Sequence, residues 1–98
     1  MGLRSAMMFA KALRGRVRSG EITTSVRFWL NPRVRIGSRY PLLDGHIEVT
    51  GLTEIDASDV TEAMAQEGGF ESLEVLMQTA RHGRGERVFL VSFRFVAA

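Results

Sequence analysis

Residues 23–29 read Thr-Thr-Ser-Val-Arg-Phe-Trp. Side chains of an extended chain alternate between two faces. Thr23, Ser25, Arg27 and Trp29 therefore share one face, and Thr24, Val26 and Phe28 share the other. Hydroxyls both donate and accept hydrogen bonds. A guanidinium grips an anion through a planar fork, and an aromatic ring offers a flat stacking surface. The row is a candidate recognition surface for a polar or anionic group. It is equally what the wet side of an antiparallel strand looks like, with Trp29 closing the core, and the residues alone leave both readings open.

Other chemistry is limited by composition. The absence of cysteine excludes disulfides, thiolate nucleophiles and thiolate metal ligands. Of the two histidines, His46 follows a turn signal and His82 ends a helical pattern, positions that suit surface or capping roles. With so few ligating side chains, neither a metal nor a cofactor is expected. Positive charge is concentrated instead. Residues 1–49 carry nine Lys/Arg and three Asp/Glu, whereas residues 50–98 carry four and eight. Lys11 is the one lysine among thirteen basic residues. Codon bias accounts for the preference for arginine more readily than for its placement. A basic N-terminal half points to an anionic partner, with nucleic acid the first candidate. Arg33, Arg35 and Arg39 crowd the segment after Trp29, and Arg14 and Arg18 lie one helical turn apart.

The elements that must position these residues follow from periodicity. The 98 residues fit one domain, residues 1–98, with a small core. Apolar spacing at Phe9, Leu13 and Val17 predicts an amphipathic helix over 6–18, stopped by Gly20. A strand over 22–30 ends at the turn Asn31-Pro32, and 33–36 is a short strand or extended loop. A strand at 39–43, the hairpin signal Asp44-Gly45 and a return strand over 46–55 come next, with a bend at Gly51. A helix begins near residues 58–59, where Asp59 followed by Glu62 forms a capping-box pattern, and stops at Gly68-Gly69. A second helix covers 71–82, with Gly83 as its stop, and an aromatic-rich strand over 86–96 closes the chain as a central strand. The fold class is α+β: a small curled sheet or barrel with helices packed at its ends. No apolar run reaches the roughly 20 residues that span a bilayer. The apolar patch 6–10 is short for a secretory signal. A cytoplasmic protein without membrane attachment is the expectation.

Four stretches taken in order resemble an ASCH domain of the PUA-like superfamily. They are SGEITTSVR (19–27), IGSRY (36–40), HIEVTGLTEI (46–55), and EGGFESLEVLM (67–77) leading into VFLVSFRF (88–95). The resemblance implies a small PUA-like β-barrel of about five strands, with an N-terminal helix and two short helices before the last strand. It also implies a cleft between barrel and helices. Thr23, Ser25 and Arg27 would face that cleft, Trp29, Phe28 or Tyr40 would stack a base, and Arg33 and Arg35 would border it. The partner so implied is single-stranded RNA or a modified nucleoside. The first strand is similar to the Gly-x-Lys-Thr-x-Thr-x-Arg pattern of small bacterial ASCH proteins that act as acetylcytidine amidohydrolases. On that pattern Gly20, Thr23, Ser25 and Arg27 match, and Ile22 stands where the pattern has lysine. The resemblance therefore also implies an alternative, a hydrolase of an acylated nucleoside or of single-stranded RNA, with Ser25 and Glu67 as its catalytic pair. Ile22 leaves that pair without the lysine that would take the hydroxyl proton.

Overall fold

The closing segment is the most aromatic stretch of the chain, and the rest of the sheet forms around it. The computed structural model describes residues 7–81 and 87–98. Its strands are β1 (Thr24–Trp29), β2 (Arg39–Leu42), β3 (Gly45–Ile55) and β4 (Arg87–Ala97). They form one curled antiparallel sheet in the order β1-β4-β3-β2, an open half-barrel with β1 and β2 at its edges. Three helices accompany it: α1 (Lys11–Arg18), α2 (Glu62–Glu67) and α3 (Leu73–Arg81). The expected helix end at His82, the Gly83 stop and the first residue of the expected closing strand, Glu86, lie outside the described residues.

β4 is central because both of its faces are apolar. Phe89, Val91 and Phe93 point to one side and join Met7, Phe9, Val17, Ile22, Trp29, Ile47 and Val49 in the larger core. Val88 packs on the other side with Val26, Val60, Ala65 and Leu76, and Leu90 is packed against the same cluster. α1 thus covers one face of the sheet, and α2 and α3 cover the other. The bend expected at Gly51 is a β-bulge: the register shifts between Val49 and Gly51, leaving Thr50 as the extra residue. The shift keeps Ile47, Val49 and Leu52 on the same core despite the change from odd to even positions.

Four sequence expectations are corrected, and one left open between strand and loop is decided. Among the described residues there are four strands, not about five. Residues 33–36 belong to the loop between β1 and β2: Val34 is buried while Arg33, Arg35 and Ile36 are exposed. Pairing with β3 starts only where the Gly37 N–H reaches the Val49 carbonyl (2.7 Å) and the Val49 N–H reaches Ser38 (2.9 Å). The hairpin turn also sits one residue early. Leu42 pairs with Gly45, so Leu43 and Asp44 form the turn, with Leu43 at φ +50°. Gly45 is needed for space: a Cβ there would run into the Val96 carbonyl oxygen and lie 2.7 Å from Phe95 Cζ. Helix α2 is capped by Thr61, whose Oγ1 accepts from the Met64 N–H at 3.1 Å. The Asp59 carboxylate instead accepts from the Asp56 N–H (3.2 Å) in a 3-10 turn at Ala57–Asp59. Finally, α1 begins at Lys11, and residues 7–10 run into it as non-helical chain.

Candidate functional site

Arg27 is the side chain around which a site can be built. It lies on β1 two residues from Ser25, on the same face, and its Nε donates to Ser25 Oγ at 2.8 Å. The guanidinium carbon stands 4.9 Å from the centre of the Phe9 ring, a cation–π contact. Phe9 is itself held edge-on against Phe93, with ring centres 5.3 Å apart. Ser25 is buried. Burial pulls the Arg27 pKa down to about 10, because the charged form has lost water. At neutral pH it still carries its charge. Among the described residues no carboxylate forms an ion pair with it. A desolvated, unpaired cation is costly, so its position calls for an account.

Arg27 and Ser25 line a cleft of about 510 Å³ at the β1 edge of the sheet. One wall is the N-terminal run Met8–Ala10 with Ala12 and Leu13; the opposite wall is Gly68–Phe70 with Leu76 and Thr79. Val26 and Phe28 complete the floor. The lining is mostly apolar and aromatic with one polar cluster, the usual make-up of a small-molecule site. Gly69 explains how the second wall comes so close. It has φ +98°, and a Cβ would sit 2.8 Å from a Leu13 methyl and 3.1 Å from Ile22 Cδ1. Only glycine accepts both that backbone and that approach.

The remaining expected site residues are spread more widely. Glu67 ends α2 with an exposed side chain, next in sequence to the wall residue Gly68 but outside the cleft lining. Thr23 is exposed just before β1, and its carbonyl accepts from the Phe93 N–H at 3.0 Å. Trp29 is in the core, tilted against Phe89 at 5.7 Å between ring centres. Tyr40 packs against the same core from β2. Arg33 and Arg35 are exposed on the loop. Ile22, at the pattern's lysine position, is 1% exposed and lies beneath the Gly69 wall. His46 is half-buried on β3, its Nε2 without a hydrogen-bond partner.

Sequence reasoning missed Phe9 and Phe70 as site residues. Phe9 did carry a signal, being spaced with Leu13 and Val17, but that spacing speaks equally for packing. Much of the basic surplus is already engaged in surface pairs: Arg16 with Glu21, Arg18 with Asp44, Arg39 and Arg94 with Glu48, and Arg87 with Glu54. Among the described residues, no group of three His, Cys, Asp or Glu is placed to hold a metal ion, and no helix is long and apolar enough to cross a membrane. No protein-family model, no curated protein and no solved structure matches the chain.

Proposed function

We propose that the cleft binds an RNA nucleotide or a modified nucleoside, as an ASCH-like, PUA-like domain would, with the base against the aromatic walls and an anionic or carbonyl oxygen on Arg27. The observation that carries the reading is the unpaired, largely desolvated Arg27 guanidinium held over Phe9 by Ser25. An arginine in that setting is preorganised: its Nε is engaged, while its terminal nitrogens remain available for a bidentate acceptor. Phe28 and Phe70 supply flat apolar surface beside it. A cleft of about 510 Å³ accommodates one nucleotide and little more. Longer RNA would engage it one base at a time, with the exposed Arg33 and Arg35 available to the neighbouring phosphates. Calorimetric titration with nucleoside monophosphates and with a short single-stranded RNA tests this. Binding that Arg27→Ala weakens at least about tenfold is expected; equal binding by wild type and Arg27→Ala would refute the reading.

A hydrolytic role for the same cleft has one observation in its favour. Ser25 accepts a hydrogen bond from Arg27, which leaves its own proton free to be given up. The group that would take it is Glu67, which neighbours the cleft wall in sequence but has an exposed side chain. Turnover of acetylcytidine or of labelled single-stranded RNA, lost in Ser25→Ala and in Glu67→Gln, is the outcome this second reading requires.

A further inference from the structure

The cleft contains a donor and an acceptor that belong to no side chain. β1 is an edge strand, and its inner edge pairs with β4. In an antiparallel pair, successive residues aim their N–H and C=O alternately toward and away from the partner. The bond from the Phe93 N–H to the Thr23 carbonyl (3.0 Å) fixes the phase. Ser25, Arg27 and Trp29 therefore bond to β4, and Thr24, Val26 and Phe28 turn their backbone groups outward. Val26 lines the cleft and is 5% exposed. Among the described residues no hydrogen bond reaches its outward N–H or C=O beyond the ladder. Backbone groups so deeply placed are nearly always paired. Here they lie on the strand edge that forms the floor of a ligand-sized cleft.

We propose that the outer edge of β1 at Val26 reads the pairing edge of an unpaired nucleobase, taking the place that a further strand would occupy. The proposal rests on the nucleotide reading above and specifies how the base is recognised. The Val26 N–H donates to a ring nitrogen or carbonyl, and the Val26 C=O accepts from the adjacent imino or amino N–H. Each of the common bases offers such an acceptor–donor pair on its Watson–Crick edge. In a duplex that edge is engaged by the opposite strand, so the cleft selects single-stranded or free nucleotides. The neighbouring aromatic rings fix the plane of the base, and Arg27 takes its anionic group. Recognition through the backbone is blind to the Val26 side chain but sensitive to any methyl group on the pairing edge.

The experiment uses the full chain, labelled with ¹⁵N, and two probe pairs. These are UMP with its N3-methyl derivative, and CMP with its N4,N4-dimethyl derivative; the methyl groups remove the base donor without adding charge. The expected result is that the methylated probes bind about tenfold more weakly than their parents and that the parents slow hydrogen exchange at the Val26 amide. Val26→Pro removes the outward N–H, which an edge strand tolerates, but also trims a side chain packed on Val60, Ala65 and Leu76. Val26→Ala, which trims the side chain and keeps the N–H, is the control, and only the proline variant is expected to weaken UMP and CMP by a similar factor. The exchange measurement on wild-type protein stands whether or not that variant folds. If UMP and CMP bind in an Arg27-dependent manner but their methylated forms bind as well and Val26 exchange is unchanged, base-edge reading is overturned and nucleotide binding survives. If neither UMP nor CMP binds, both proposals fall together.

Discussion

Arg27 sets a cost in stability against the recognition proposed for it, in one side chain. Its charge has lost water without gaining a carboxylate, so the fold would be better off without it. Arg27→Leu is expected to stabilise the ligand-free protein by about 1 kcal/mol, a rise of roughly 4–8 °C in midpoint for a chain of this size, while abolishing nucleotide binding; thermal melts and titrations check the two halves. The pH dependence has a definite sign. The folded-state pKa is about 10, below the ordinary arginine range, so the unfolded chain holds the proton more tightly. Stability relative to Arg27→Leu should therefore rise as pH climbs through and above 10. Affinity for an anionic ligand should run the other way, flat near neutrality and falling above about pH 10. Ile22 shows the opposite economy. It fills the core at the position where the resembling pattern has lysine, and Ile22→Lys is expected to cost several kcal/mol by burying an ammonium. A denaturant midpoint unchanged by that substitution would contradict the packing described. The pairing of Ser25 with Arg27 was legible from strand alternation alone. Trp29 shared that face and was read as a ligand contact, but the face divides along its length: its start opens on the cleft, and its end lies over Phe89.

Among the elements, the hairpin between β2 and β3 departs furthest from its sequence signal. Asp-Gly is the usual turn pair, yet the turn is Leu43-Asp44 and Gly45 has moved into the strand. The reason is steric: the β4 backbone passes so close that no side chain fits at 45. Gly45→Ala should destabilise by about 1–3 kcal/mol through that overlap. Leu43→Gly should stabilise, because the exposed leucine holds a left-handed backbone that glycine adopts freely. Opposite shifts of the thermal midpoint in these two variants would verify the turn; the reverse order would place it back on Asp44-Gly45. Helix starts were legible only to within a few residues, since Ser58, Asp59 and Thr61 all carry capping side chains and only the bond from the Met64 N–H to Thr61 Oγ1 decides among them.

At the scale of the molecule, the sequence announced a small α+β sheet closed by a central last strand, because β4 is long and aromatic-rich, with one face apolar throughout and the other apolar at Val88 and Leu90. The cleft was not legible as a whole. Its walls come from residues 8–13 and 68–79, which no local periodicity links. The charged surface ties distant segments together: Arg18 of α1 to Asp44 of the hairpin, and Arg87 of β4 to Glu54 of β3. Hydrogen bonds from these arginines hold both carboxyls below their ordinary range. Their contribution is present above the unfolded-state carboxyl pKa and disappears as pH falls through and below the folded-state values. Acid titration of Asp44→Asn and Glu54→Gln should show a shallower loss of stability than wild type, an effect that added salt diminishes. The extra residue in β3 has a consequence of its own. Thr50 lengthens the strand without moving an apolar side chain off its face, so a chain shortened by that residue could keep every cross-strand neighbour and lose only local bending. Such a chain would be a ruler for curvature, separating the part of the cleft's depth set by the sheet from the part set by the segments that flank it.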